Sequence, residues 1–376
     1  MSRLTAFPIE DYRAHQVEID RAVGEVLRGG WYVLGGEVAA FEEEFAAFVG
    51  AKHAVGVANG TDAIELILRA MEIGVGDRVV VPSHTAVASA SAVIRVGAEP
   101  VFVDVDGVTK TICPERLEEL LGSEMGRGVK AVLAVHIYGH PCEMEALEAV
   151  CGRHGVTLLE DCAQSHGAMY RGRNAGSMAR AAAFSFYPTK NLGAVGDGGA
   201  ITTSDEALAE RIKVLRQYGW VGRYVSDFEG INSRLDELQA AILRVKLRTL
   251  PERLAKRRML AGVYEEMLAG VAVVERPEVR ADCVHGWHLY VVRSAEREAL
   301  MGHLSGLGIP VAVHYPVPIH LQPGYVKYAE RSPVLPVTEA LSREVLSLPM
   351  HPYLDEAGLA EVVAGVRSFE QGRGAK

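Results

Sequence analysis

The sequence predicts an α/β protein, with a large domain built on a mostly parallel sheet flanked by helices and a smaller C-terminal α+β domain. Two observations predict this. Between residues 50 and 205, short apolar runs at 54–58, 79–82, 101–105, 130–135, 156–160, 182–186 and 199–203 alternate with helical patterns such as 85–96 and 144–154. That alternation is the mark of βαβ units. Beyond about residue 270 the texture changes to short strands, such as 288–293, with prolines and two further helices. At 376 residues, 49% of them hydrophobic, the chain exceeds what one core usually serves. It divides as 1–249 and 250–376.

The first strand, through Val55-Gly56-Val57-Ala58, runs into Asn59-Gly60-Thr61-Asp62-Ala63 and then a helix with Ile64, Leu66, Ile67 and Leu68 apolar. Backbone N–H groups at such a helix start, with the positive end of the helix dipole, make a ready phosphate site. The same residues also suit a plain helix cap.

Further along, Val156 to Leu159 forms a buried strand with Asp161 at its carboxyl end, in Glu160-Asp161-Cys162-Ala163-Gln164-Ser165-His166-Gly167. Ligands of open α/β sheets collect outside the carboxyl ends of strands. A carboxylate there favours the protonated form of a pyridine nitrogen. Taken alone, Asp161 reads first as a helix N-cap, and only its pairing with Lys190 favours a cofactor role.

The strand at 182–186 leads into Tyr187-Pro188-Thr189-Lys190-Asn191-Leu192-Gly193 and then Gly196-Asp197-Gly198-Gly199-Ala200. A solitary lysine is usually a solvated surface charge. Lys190 instead follows an apolar strand in a turn closed by glycines, where desolvation lowers an ammonium toward its free amine. A Schiff-base lysine needs that property. With Asp161 and the helix start at Gly60, the set fits pyridoxal 5′-phosphate, whose protonated ring acts as an electron sink.

After the sheet come a helix over 205–218, a polar loop over 219–231 and a helix over 236–247. A charged run from Pro251 to Leu268 then bridges to the second domain.

Composition excludes several classes. The formal net charge of -9 argues against nucleic-acid binding. Five cysteines, with no C-x-x-C pair and an odd count, fit reduced thiols in a cytoplasmic protein better than disulfides or zinc. His136 and His140 flank a strand end and a turn, so no metal pair is expected there. No leader pattern or membrane-length apolar run is present. The glycines at 193–199 lack the G-x-G-x-x-G spacing of a nicotinamide-binding turn.

The motifs just quoted, joined by Asn232-Ser233-Arg234-Leu235-Asp236-Glu237-Leu238-Gln239-Ala240-Ala241, resemble the DegT/StrS family of nucleotide-sugar aminotransferases. The resemblance covers nearly the whole chain, from Trp31 to the region of His351. It implies the fold-type I architecture of pyridoxal-phosphate enzymes and a homodimer with active sites shared at the subunit interface. By resemblance, Lys190 carries the cofactor, Asp161 pairs with its pyridine nitrogen and Gln164 lies by the ring. Gly60, Thr61 and Ser185 hold the phosphate, joined by Asn232 from the neighbouring subunit. Many relatives carry an aromatic residue at the position of Ala86, stacked on the ring; here His84 or another group is expected to cover it.

Finer features, including His136-Ile137-Tyr138-Gly139-His140-Pro141, Trp287-His288-Leu289-Tyr290 and the segment from His314 to His320, are similar to the branch that aminates dTDP-3-keto-6-deoxy sugars. Branches working at carbon 4 more often have histidine where Tyr187 stands. The resemblance implies L-glutamate as amino donor, with 2-oxoglutarate released. It makes Tyr187, Tyr218, His314 and His320 candidates for contacts to the hexose. Arg216, Arg223 and Arg234 are candidates for the diphosphate, since arginine forks suit phosphate oxygens. Acceptors linked to UDP, such as 2-acetamido-3-keto sugars, and 4-keto sugars stay open. So do a sugar dehydratase and a non-catalytic cofactor-binding regulator.

Overall fold

The computed structural model describes residues 6–374. Its central sheet has seven strands in the order β1-β7-β6-β5-β4-β2-β3. They are β1 His53–Val57, β2 Arg78–Pro82, β3 Glu99–Val103, β4 Val129–Val135, β5 Thr157–Asp161, β6 Ala182–Ser185 and β7 Gly199–Thr203. Each expected strand is present; the largest shift is at β3, which spans 99–103 rather than 101–105.

The pairs β2–β3, β2–β4, β4–β5 and β5–β6 are parallel, whereas β7 runs antiparallel to both β1 and β6. A parallel return needs a crossover connection, usually a helix. Residues 186–198, between β6 and β7, contain none, so the chain comes back antiparallel and leaves a loop at the carboxyl end of β6.

The strands are mostly apolar because both faces are covered. Val80, Val132 and Leu158 pack on one side with Phe41, Phe45 and Leu147. Their chain neighbours Val79, Leu133 and Leu159 pack on the other with Ile64, Val93 and Ile212. This is the alternation that a pleated strand requires.

A second core surrounds the antiparallel pair Tyr290–Arg293 and Val345–Leu348. It holds Leu260, Tyr264, Tyr290, Val292, Leu300, Leu346 and Val362. The alternate residues Leu289, Val291 and Val345 pack instead against the large core. One short sheet therefore couples the two cores.

Two expectations change, and three helices are added. The helix expected over 205–218 is Glu206–Leu215, with Asp205 as its N-cap accepting from the Leu208 N–H at 3.1 Å. Tyr218 lies beyond it with φ 59°. The loop at 219–231 contains a hairpin, Trp220–Gly222 with Val225–Ser226. Helices Pro8–Ala14, Gln16–Gly29 and Gly36–Val49 precede the sheet, outside the strand–helix alternation legible in the sequence. Among the described residues, no helix is long and apolar enough to cross a membrane.

Candidate active site

The Lys190 loop begins from a buried aromatic anchor. Phe186 lies edge-on to Phe41 and Phe45, with centroids 5.3 and 5.2 Å apart, and Phe184 is edge-on to Phe45 at 4.9 Å. Pairs of this geometry contribute about 0.5–1.5 kcal/mol each beyond area burial. Backbone bonds then fold the loop, from Lys190 N–H to Tyr187 O at 2.8 Å and from Ala194 N–H to Phe186 O at 2.7 Å. Asn191 Nδ2 ties it to Gly286 O at 2.7 Å. Lys190 is half-buried, and loss of hydration pushes its ammonium down to about 8, against the opposing pull of the Asp161 charge.

Asp161 closes β5 and is buried. Its Oδ2 accepts from the Ser89 hydroxyl at 2.9 Å, and its Oδ1 accepts from the Ala163 N–H at 3.0 Å. Gln164 is fixed at both ends of its amide. Oε1 accepts from the Tyr138 N–H at 2.6 Å, and Nε2 donates to the Tyr315 hydroxyl at 3.0 Å. Burial pushes the Tyr315 phenol up to about 12, so it stays a neutral hydroxyl near neutral pH.

The helix Gly60–Ala70 starts at the same cavity. Asn59 caps it, Oδ1 accepting from the Asp62 N–H at 2.9 Å. The N–H groups of Gly60 and Thr61 belong to the first turn, which has no acceptors within the helix. A Cβ on Gly60 would lie 2.8 Å from Ser185 Cβ, and one on Gly199 would lie 2.5 Å from the Asn59 carbonyl carbon. Both glycines let the helix start, β6 and β7 converge.

These groups share one cavity of ≈ 560 Å³, lined by Gly60, Thr61, Asp161, Gln164, Ser185, Tyr187 and Lys190. That volume lies in the range of small-molecule and cofactor sites. The donor set fits pyridoxal 5′-phosphate: a helix N-terminus for the phosphate, a carboxylate for the ring nitrogen and a partly desolvated amine for the carbonyl. Thr85, Ala86, Ala88 and Arg95 also line it. Arg95 is held by Asp62 at 2.9 Å and Glu65 at 2.7 Å.

Other candidate residues lie elsewhere. His84 does not line the cavity. Its ring is buried with Nε2 2.7 Å from the Tyr138 hydroxyl, and desolvation pushes it down to about 3. At that edge the cavity is lined instead by the small side chains of Ala86 and Ala88. His320 is likewise no cavity residue, because its buried ring has Nδ1 2.7 Å from Ser83 Oγ and Nε2 3.5 Å from Glu339. His314 is half-buried with Nδ1 2.8 Å from Ser347 Oγ, and burial and the charge of Lys190 push it down to about 4.

Arg216 is buried, its Nη1 donating to Glu42 at 2.5 Å and to Gly56 O at 2.7 Å, so it braces β1 instead of facing a diphosphate. Tyr218 and Arg223 are exposed on the 218–226 segment, away from the Lys190 cavity of their own chain. Asn232 and Arg234 line a second cavity of ≈ 260 Å³, which shares Asp197 with the first.

Among the described residues, one group is spaced as metal ligands: His136, Glu160 and Cys162. Glu160 accepts from the N–H groups of Gly176, Met178 and Ala179 at 2.7–2.9 Å, and His136 Nδ1 accepts from the Cys142 N–H at 2.9 Å. Protein donors hold His136 Nδ1 and both Glu160 oxygens, which makes the pair a structural knot. Ser89 and Arg95 carry no mark in the sequence as site residues, and Tyr138 and Tyr315 stand there only within longer motifs. The Val87–Ala88-Ser89 pattern could have pointed to Ser89 only with the position of β5 already known.

The chain matches the DegT/DnrJ/EryC1/StrS aminotransferase family over residues 13–367. It is 45% identical over 360 residues to a dTDP-3-amino-3,4,6-trideoxy-alpha-D-glucose transaminase of Streptomyces venezuelae, covering 96% of this chain and 94% of the relative. It is 46% identical over 355 residues to a dTDP-3-amino-3,6-dideoxy-alpha-D-galactopyranose transaminase of Aneurinibacillus thermoaerophilus, covering 94% and 96%. The structure of S. venezuelae DesV in complex with a ketimine intermediate superposes with a TM-score of 0.93 at 44% identity, covering 97% of each chain. The chain belongs to the DegT/DnrJ/EryC1/StrS aminotransferase family and is a pyridoxal-phosphate-dependent sugar aminotransferase.

Proposed function

We propose that the protein transfers an amino group from L-glutamate to a nucleotide-linked keto sugar, with dTDP-3-keto-6-deoxyhexose as acceptor and dTDP-3-amino-3,6-dideoxyhexose as product. The observation that carries this reading is the convergence of Lys190, Asp161 and the N–H groups of Gly60 and Thr61 on one cavity. When bound there, the cofactor supplies an electron sink for the carbanion at the donor's α-carbon. Lys190 holds it through Nζ. Its Nζ, when free, would be the group placed to take the proton from the donor's α-carbon, as base and then acid. Asp161, fixed by Ser89 and Ala163, keeps the ring nitrogen protonated. Gly60, Thr61 and Ser185 hold the phosphate. Tyr187 stands at the open side of the cavity, where a hexose would enter.

In this reading 1–249 is the cofactor-binding domain and 250–376 the smaller domain, and the protein works in the cytoplasm as a homodimer. Asn232, exposed beside the neighbouring cavity, serves the phosphate of the other subunit's cofactor, with Tyr218 and Arg223 from the same edge reaching the partner's substrate. The test is purified protein supplied with L-glutamate and a panel of dTDP- and UDP-linked 3-keto and 4-keto sugars. Formation of 2-oxoglutarate and a 3-amino sugar with the dTDP-3-keto acceptor supports the assignment. Amination confined to UDP-linked or 4-keto acceptors would replace it.

A further inference from the structure

The Lys190 loop is held from behind by a charged cluster that the proposed reaction does not use. Asp11, on helix Pro8–Ala14, is buried. Its Oδ2 lies 2.7 Å from Lys246 Nζ, and its Oδ1 accepts from Arg253 Nη1 at 2.9 Å and from the Tyr353 hydroxyl at 2.8 Å. The two cations turn further donors onto the loop. Lys246 Nζ donates to Gly193 O at 2.8 Å, and Arg253 Nη1 donates to Asn191 O at 3.2 Å. Arg253 Nη2 donates to Lys246 O at 2.7 Å, which locks the pair together. Lys246 is only 1% exposed. A small cavity of ≈ 20 Å³, lined among others by Asp11, Lys190, Arg253 and Tyr353, separates this cluster from the lysine.

Buried cations stay in place when a countercharge compensates their lost hydration. Asp11 is the carboxylate within ion-pair distance of both Lys246 and Arg253. Without its charge, each cation gains by moving toward water, and each such movement releases a carbonyl of the segment directly after Lys190.

We propose that Asp11 is a positioning residue for the reaction: through Lys246 and Arg253 it fixes the carbonyls of Asn191 and Gly193 and so sets Lys190 Nζ at the cavity. The proposal rests on Lys190 being the cofactor-bearing lysine. The depressed pKa of Lys190 follows from its burial, and the loop's position sets that burial.

The experiment uses the full chain without cofactor, as wild type, Asp11→Asn, Asp11→Glu and Lys246→Met. Hydrogen exchange is followed in peptides spanning 187–196, and acylation of Lys190 by acetic anhydride is titrated against pH. Asp11→Asn should speed exchange in those peptides by roughly 10- to 100-fold, while strands β4 and β5 stay protected. The acylation midpoint should rise from about 8 toward 10.5 as water reaches the amine. Asp11→Glu should restore part of both signals. With cofactor added, kcat should fall while KM for the nucleotide sugar holds. If Asp11→Asn fails to fold, Lys246→Met decides, since it removes the Gly193 donor and leaves Asp11 paired with Arg253. Unchanged loop exchange and an unchanged midpoint in the folded variant would overturn the proposal. Neither readout needs the cofactor, so failure here is distinct from failure of Lys190 as the cofactor lysine, which covalent mapping decides.

Discussion

Ser89 donates its hydroxyl to Asp161 Oδ2 at 2.9 Å, joining the helix Val87–Arg95 to the carboxyl end of β5. The bond leaves the carboxylate one orientation, with Oδ1 turned to the Ala163 N–H. Hydrogen bonds to a charged acceptor contribute about 1.5–3 kcal/mol. Ser89→Ala should therefore lower kcat by roughly 10- to 100-fold with a similar KM for the donor, by steady-state kinetics. A variant with native kcat would mean that Ala163 alone orients Asp161.

Lys190 should cost the protein stability when cofactor is absent. Its folded pKa, about 8, lies below the ordinary 10.5, so the folded state is penalised for the charged form. Between those values the unfolded chain binds more protons, and stability rises with pH. Below pH 8 both states are charged and the whole penalty is present. Lys190→Met should thus raise the apo-protein's Tm most at pH 6–7 and progressively less toward pH 10. Thermal unfolding at several pH values checks this, and a Tm that falls at every pH would contradict it.

The two side chains Tyr187 and His320 should respond oppositely. Tyr187 is 53% exposed at the cavity, and its loss should raise KM for the nucleotide sugar with little change in Tm. His320 is buried against Ser83, and His320→Ala should destabilise by about 1–3 kcal/mol, the cost of an orphaned buried partner. Its kcat/KM should stay near native at temperatures where it is folded. Kinetics and denaturant melts on both variants separate the roles.

The proposed sharing of sites predicts complementation between defective subunits. Mixing Lys190→Ala with Asn232→Ala protein, after subunit exchange, places both defects in one site of a two-fold dimer and none in the other. Activity should recover partly, provided that Asn232→Ala is itself strongly impaired. Confirmed exchange without recovery, or an active species that sediments as a monomer, contradicts the shared site.

What was legible in the chain depended on how local the determinant is. The strands are short apolar runs buried on both faces, so they stand out without tertiary knowledge. Lys190, Asp161 and Gly60 are each placed by the strand next to them, and a parallel sheet brings such strand ends together. Ser89 had no local mark, because its role exists only where the Val87–Arg95 helix passes β5. Nothing local in the sequence marks His320 as buried; its partner Ser83 is 237 positions away in sequence. The Asp11 cluster was hidden for the same reason, joining an N-terminal helix to residues 246, 253 and 353. The orientation of β7 follows from a loop too irregular to carry a crossover helix, which apolar periodicity does not report.

Every role proposed for the cavity depends on Lys190 being the amine that holds the cofactor. Among the described residues, Lys110 shares with Lys190 both burial and a pKa pushed down to about 8, so it serves as an internal control. Reduction of the cofactor-loaded protein with borohydride, followed by peptide mass mapping, tests the Lys190 assignment most directly. One reduced cofactor per chain is expected, on the peptide containing Lys190, with Lys110 unmodified. Cofactor mass on Lys110 or another lysine, with Lys190 recovered free, would contradict it.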